Sequence, residues 1–165
     1  PAFTTAEGFV GGDYAASDGA RDAAEWASWA TRLPESGIYH VYMNWASIGF
    51  SYRSPMAEIV PVEIQHEGRI DRRSVDQTRY AGSLIHLGAY KFAAGQEARV
   101  RLFVARDRIT IADAVKFVKA PPKASEKRMS RLEYPRNEAR NAREMSLHFS
   151  RSECLFTLSQ PVLGR

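Results

Sequence analysis

The sequence predicts an all-β chain, an antiparallel β-sandwich of jelly-roll type with a basic, partly helical C-terminal extension. Three observations carry that reading. Short runs rich in β-branched and aromatic residues alternate with period two. Gly- or Pro-marked turns separate about seven such runs. Charge divides the chain: residues 1–118 hold 13 Lys+Arg against 14 Asp+Glu, a balance of −1, and residues 119–165 hold 10 against 5, a balance of +5. With 165 residues, 44% of them hydrophobic, the chain is one domain with a short appendage. A domain of this size buries roughly two-thirds of its unfolded surface and needs no disulfide or metal to fold.

The strands follow in order. Residues 20–29 could be read as a helix on their alanines, with Trp26 and Trp29 three apart, but a strand over 26–33 is preferred. Pro34, Glu35, Ser36 and Gly37 make a turn. In residues 38–45, Tyr39, Val41, Met43 and Trp45 share one face, with His40 and Asn44 on the other. Val62, Ile64 and His66 alternate with Glu63 and Gln65 up to Gly68. Shorter strands are expected over 72–76 and 84–92. Val100, Leu102 and Val104 alternate with arginines and Phe103. A last strand is expected over 109–118, with Ile109, Ile111, Asp113, Val115 and Phe117 on its buried face. The sandwich is placed at 1–118 and the extension at 119–165, divided where Pro121 and Pro122 end regular structure.

Several function classes lack a signal. No apolar run approaches the ~18 residues of a membrane span. One cysteine, Cys154, excludes an intramolecular disulfide framework and a cysteine zinc site. The four histidines (40, 66, 86 and 148) show no HxH or HExxH spacing, so no metal and no cofactor are expected. There is no nucleophile elbow, phosphate loop or paired-carboxylate motif, and no enzymatic activity is expected. The chain starts at Pro1, which points to a processed or trimmed N-terminus; the compartment is open.

A family resemblance lies in the strand motifs. Trp29, then Leu33, Pro34, Gly37, Tyr39, Val41 and Tyr42, resembles the LPxxGxYxVY signature of golvesin-like domains, the module also described as the carbohydrate-binding-like C-terminal domain of xanthan lyase. Ile64, His66 and Gly68 follow, then Val75, Asp76 and Gln77. Next come Leu87, Gly88, Tyr90, Phe92 and Gly95, and the segment ends on Ala112-Asp113-Ala114-Val115-Lys116-Phe117-Val118. The match covers about residues 10–118. Val62 and Leu84 stand where the family often has Tyr and Trp. The resemblance implies a non-catalytic β-sandwich and, loosely, glycan binding.

Candidate residues divide by role. Phe50, Tyr52 and Tyr80 fall in expected loops and are candidates for an exposed sugar-stacking surface. Asp113, in an apolar stripe, must be hydrogen-bonded or paired; a structural carboxylate is the main reading and a calcium ligand the second. Asp76 reads as a turn cap and His66 as a hydrogen-bonded structural histidine. In the tail, residues 136–149 have helical spacing. Arg136, Arg140 and Arg143 with Met145, Phe149, Leu155 and Phe156 form a candidate docking surface. The leading expectation is an accessory or structural subunit held to a protein partner through this tail, with nucleic acid possible for its arginines. The alternative is a glycan-binding or surface-attachment domain of a secreted protein.

Overall fold

The computed structural model describes residues 10, 14–19, 25–48, 55–121, 154–158 and 162–164. It is all-β, with no helix among the described residues. The described residues hold eleven strands, in order β1 (Ala15–Ser17), β2 (Trp26–Arg32), β3 (Gly37–Asn44), β4 (Val60–His66), β5 (Arg69–Val75), β6 (Ile85–Phe92), β7 (Glu97–Phe103), β8 (Thr110–Ala112), β9 (Ala114–Lys119), β10 (Cys154–Leu158) and β11 (Val162–Gly164). One sheet has the order β10-β9-β3-β6 and the other β11-β2-β7-β4-β5, with β1 and β8 as a separate pair. Every strand pairing is antiparallel. The fold is a β-sandwich. The strand read over 26–33 is β2; the described residues hold no helix at Trp26 and Trp29.

Local chemistry explains the joints. Glu67 and Gly68 both have positive φ, 42° and 73°, so a two-residue type I′ turn joins β4 to β5 and fixes the register from His66 opposite Arg69. On β3, Tyr39, Val41 and Met43 point into the core as the alternation predicts. β6 takes an irregularity opposite Val41 and Tyr42. Gly88 lies there at φ 145°, and a Cβ at that position would meet the Tyr90 hydroxyl at 2.6 Å. A bulge therefore needs glycine at this point, so that Tyr90 can turn inward and donate to Leu87 O at 2.9 Å.

The core is made where the two sheets face each other. Trp29, Val62, Ile64, Val100 and Leu102 come from one sheet, and Tyr39, Val41, Met43, Val115 and Phe117 from the other. Tyr39, Phe92 and Phe117 form edge-to-face ring contacts at 5.9 and 5.7 Å, an arrangement worth about 0.5–1.5 kcal/mol per pair beyond burial.

One expectation is corrected. The last strand does not run unbroken over 109–118: it divides at Asp113 into β8, which pairs with β1, and β9, which pairs with β3. Residues 109–115 are buried on both sides, so the alternation that suggested a single strand is absent there. In the segment placed at 119–165, β10 adds to the edge of β9 and β11 to the edge of β2. The expected helix over 136–149 lies outside the described residues, as do Phe50 and Tyr52.

Candidate functional site

The two outer faces of the sandwich differ in chemistry. On the five-stranded sheet, Glu63 bonds Arg72 at 3.0 Å and lies 3.9 Å from Arg101, whose guanidinium sits 4.8 Å over the Trp26 ring. That face carries a network of ion pairs. On the other sheet, antiparallel pairing sets Tyr42 beside His86 and Lys116, and His40 beside Val118. The His86 ring lies 5.0 Å from Tyr42 and 5.1 Å from His40. His40 Nδ1 and His86 Nε2 are 3.0 Å apart, sharing one hydrogen bond.

This strip leads into a cleft of about 200 Å³ lined by Trp45, Arg73, Asp76, Tyr80, His86 and Leu87 among others. Tyr80 is its most exposed aromatic, at 67%. Its φ of 58° is a left-handed conformation that a bulky residue rarely adopts. The loop holds it there: Ser83 N–H donates to Tyr80 O at 3.0 Å, and Gly82 N–H donates to Trp45 O at 2.8 Å. Backbone strain of this kind costs about 1–3 kcal/mol and gathers at binding sites. Arg73 donates to backbone carbonyls of Leu87 and Arg72 at 3.4 and 3.1 Å. The Trp45 indole N–H is buried without an acceptor among the described residues.

The sequence-predicted residues fall as follows. Asp76 accepts from Thr78 N–H at 3.0 Å and from the Thr78 hydroxyl at 2.5 Å, with Arg79 at 3.4 Å. The Thr78 hydroxyl, above all, holds its carboxyl below the usual range. Asp76 is thus a turn cap that also lines the cleft. His66 Nε2 contacts Asp71 at 3.1 Å, and its ring packs 5.0 Å from Tyr90. Asp113 is fully buried. Its carboxylate accepts from Asn44 Nδ2 at 2.5 Å and from Val10 N–H at 3.1 and 3.2 Å, and its carbonyl accepts from Trp29 Nε1 at 3.3 Å. It ties the break between β8 and β9 to the core and lies away from the cleft. Leu155 and Phe156 fall in β10, and Arg136, Arg140, Arg143, Met145 and Phe149 outside the described residues.

The sequence marks Tyr80 but not His40, His86 and Arg73: register between β3 and β6 brings the two histidines together, Arg73 reaches β6 from β5 of the other sheet, and no local spacing marks any of the three. A larger cavity of about 460 Å³, lined by Ser17, Glu25, Trp26, Leu102 and Thr110 among others, lies elsewhere. Its one large aromatic, Trp26, already carries Arg101 on its ring. No cluster of three or more His, Cys, Asp or Glu able to hold a metal occurs among the described residues.

Comparisons with known proteins agree with this architecture. The chain is 30% identical over 112 residues to a xanthan lyase of Bacillus sp. (strain GL1), covering 66% of this chain and 12% of that protein. The solved structure of a Paenibacillus xanthan lyase superposes with a TM-score of 0.65 at 30% identity, over 73% of this chain and 11% of that one. The chain thus spans about an eighth of the relatives it matches. A family model covers residues 2–119, and on that match the chain belongs to the Golvesin C-terminal domain family.

Proposed function

We propose that this domain is a non-catalytic saccharide-binding module whose ligand lies along Tyr80, His86, Tyr42 and His40. The observation that carries the reading is the continuity of that strip with the Tyr80 cleft. Sugar rings present C–H faces that pack on flat unsaturated rings, and rim hydroxyls that need fixed donors and acceptors. The strip supplies the first. Arg73 and Asp76 supply the second. The cleft is smaller than the ~300 Å³ at which drug-sized sites begin, so it suits one ring or a chain end, with further rings along the strip. The relatives' name, xanthan lyase, refers to a polysaccharide, which favours the same ligand class. No base, acid and nucleophile converge among the described residues of the strip, which supports binding without turnover.

Affinity electrophoresis tests this reading. Migration through gels containing soluble polysaccharides, neutral and acidic in separate gels, should be retarded by at least one of them. Tyr80→Ala and Tyr42→Ala should abolish the retardation, each ring removed costing roughly 1–3 kcal/mol by analogy with aromatic stacking on other ring ligands.

A second reading, docking to a partner through the tail, has the +5 balance of residues 119–165 in its favour. The placement of β10 and β11 favours the domain's own sheet edges as the surface on which part of that tail lies.

A further inference from the structure

We propose that His40 and His86 form a divalent transition-metal site on the outer face of β3 and β6, with copper(II) as its preferred ion. It does not rest on saccharide binding. The facing nitrogens, His40 Nδ1 and His86 Nε2, are 3.0 Å apart. Metal–imidazole bonds are about 2.0–2.1 Å, so with each ring turned to aim its lone pair at the ion instead of at the other nitrogen, and this spacing kept, the ion sees the two nitrogens at about 90°. That is the angle between neighbouring ligands in a square-planar or tetragonal site, which suits copper(II). A tetrahedral ion such as zinc would need the nitrogens farther apart. The Irving–Williams order also puts copper(II) first for nitrogen donors.

The geometry is held by neighbouring strands. Across β3 and β6, Tyr42 stands opposite His86 and packs on its ring at 5.0 Å. Donors mounted on rigid strands keep their spacing better than donors on loops. The single proton shared between the two rings is the one an ion would displace; it passes to the far nitrogen of its own ring, so each neutral imidazole keeps one N–H and offers the facing nitrogen to the ion. His40 is half-buried and His86 exposed, so the remaining coordination positions face solvent and take water. Two protein donors set a modest affinity. The residues are 46 apart in the chain, so no sequence motif announces the pair.

The experiment uses the full chain with Cys154→Ser, which removes the competing thiol. Copper(II) is titrated and followed by electron paramagnetic resonance and by line broadening in amide NMR spectra. One equivalent should bind with nitrogen hyperfine structure, and broadening should centre on His40, Tyr42 and His86. His40→Ala and His86→Ala should each weaken binding about tenfold or more, while His66→Ala and His148→Ala leave it unchanged. Both histidines are on the outer face, and an otherwise unchanged amide spectrum confirms the fold of each variant. Broadening centred elsewhere, or unchanged affinity in His40→Ala and His86→Ala, overturns the proposal. Loss of saccharide binding in Tyr80→Ala leaves this result untouched, so the two readings fail separately.

Discussion

The side-chain amide of Gln77 pairs with the backbone of Ile111 as a strand would: Gln77 Nε2 donates to Ile111 O at 2.7 Å, and Ile111 N–H donates to Gln77 Oε1 at 2.9 Å. Gln77 is fully buried, and its own N–H donates to Ala57 O at 3.0 Å. A single side chain thus satisfies both polar groups of a buried residue in β8.

Gln77→Ala strands the N–H and C=O of Ile111 together and should cost about 2–4 kcal/mol. Gln77→Glu should cost at least as much, because it keeps an acceptor, loses the donor and buries a charge. Urea unfolding midpoints check both; a midpoint unchanged in Gln77→Ala would mean the amide is dispensable.

Asp113→Ala removes the acceptor for Asn44 Nδ2 and Val10 N–H and should cost about 1–3 kcal/mol. Thermal unfolding measures it. The calcium reading of Asp113 predicts something different, that a chelator lowers the melting temperature of the wild type. The hydrogen-bonded reading predicts no change.

Stability should fall in alkali. Burial pushes the phenols of Tyr39 and Tyr90 up, and the hydrogen bond to Glu35 pushes Lys119 up. In each case the folded state favours the protonated form. The stabilisation is therefore complete below the ordinary values near 10 and is lost as pH rises through the folded-state values. Asp76 has the opposite sign: Thr78 lowers it, so its contribution is present above the ordinary carboxylate range near 4 and is lost as pH falls. Chemical denaturation from pH 8 upward should show the alkaline decline, and Tyr39→Phe should flatten it. An equal slope in that variant would assign the decline to other groups.

Truncation after Lys119 should leave the sandwich folded, because every residue of its buried core lies between Ala27 and Phe117 among the described residues. It should also uncover the edges of β9 and β2, where β10 and β11 pair, and uncovered edges promote strand-to-strand association. Light scattering should therefore show self-association of the shortened chain. An unfolded product would make the tail part of the folding unit.

Period-two alternation made β3, β4 and β7 readable, because each has one buried face and one wet face. It failed at Asp113, where burial on both sides removes the contrast that alternation needs. Gln77 carries no such signal, because a side chain that replaces a strand leaves no local pattern. At the candidate site, Tyr80 was legible as an aromatic in a loop. His40, His86 and Arg73 are not, because register between β3 and β6 brings the histidines together and Arg73 reaches β6 from β5 of the other sheet.

The central claim is that a saccharide lies along the Tyr80 to His40 strip. The most direct measurement is an amide NMR titration with oligosaccharides cut from the polysaccharide that retards the domain most. The account predicts saturable shifts concentrated at residues 40–42, 73–80 and 85–87, lost in Tyr80→Ala. Shifts confined to the ion-paired outer face around Glu63, Arg72 and Arg101, or to residues after 119, with the strip silent, would contradict it.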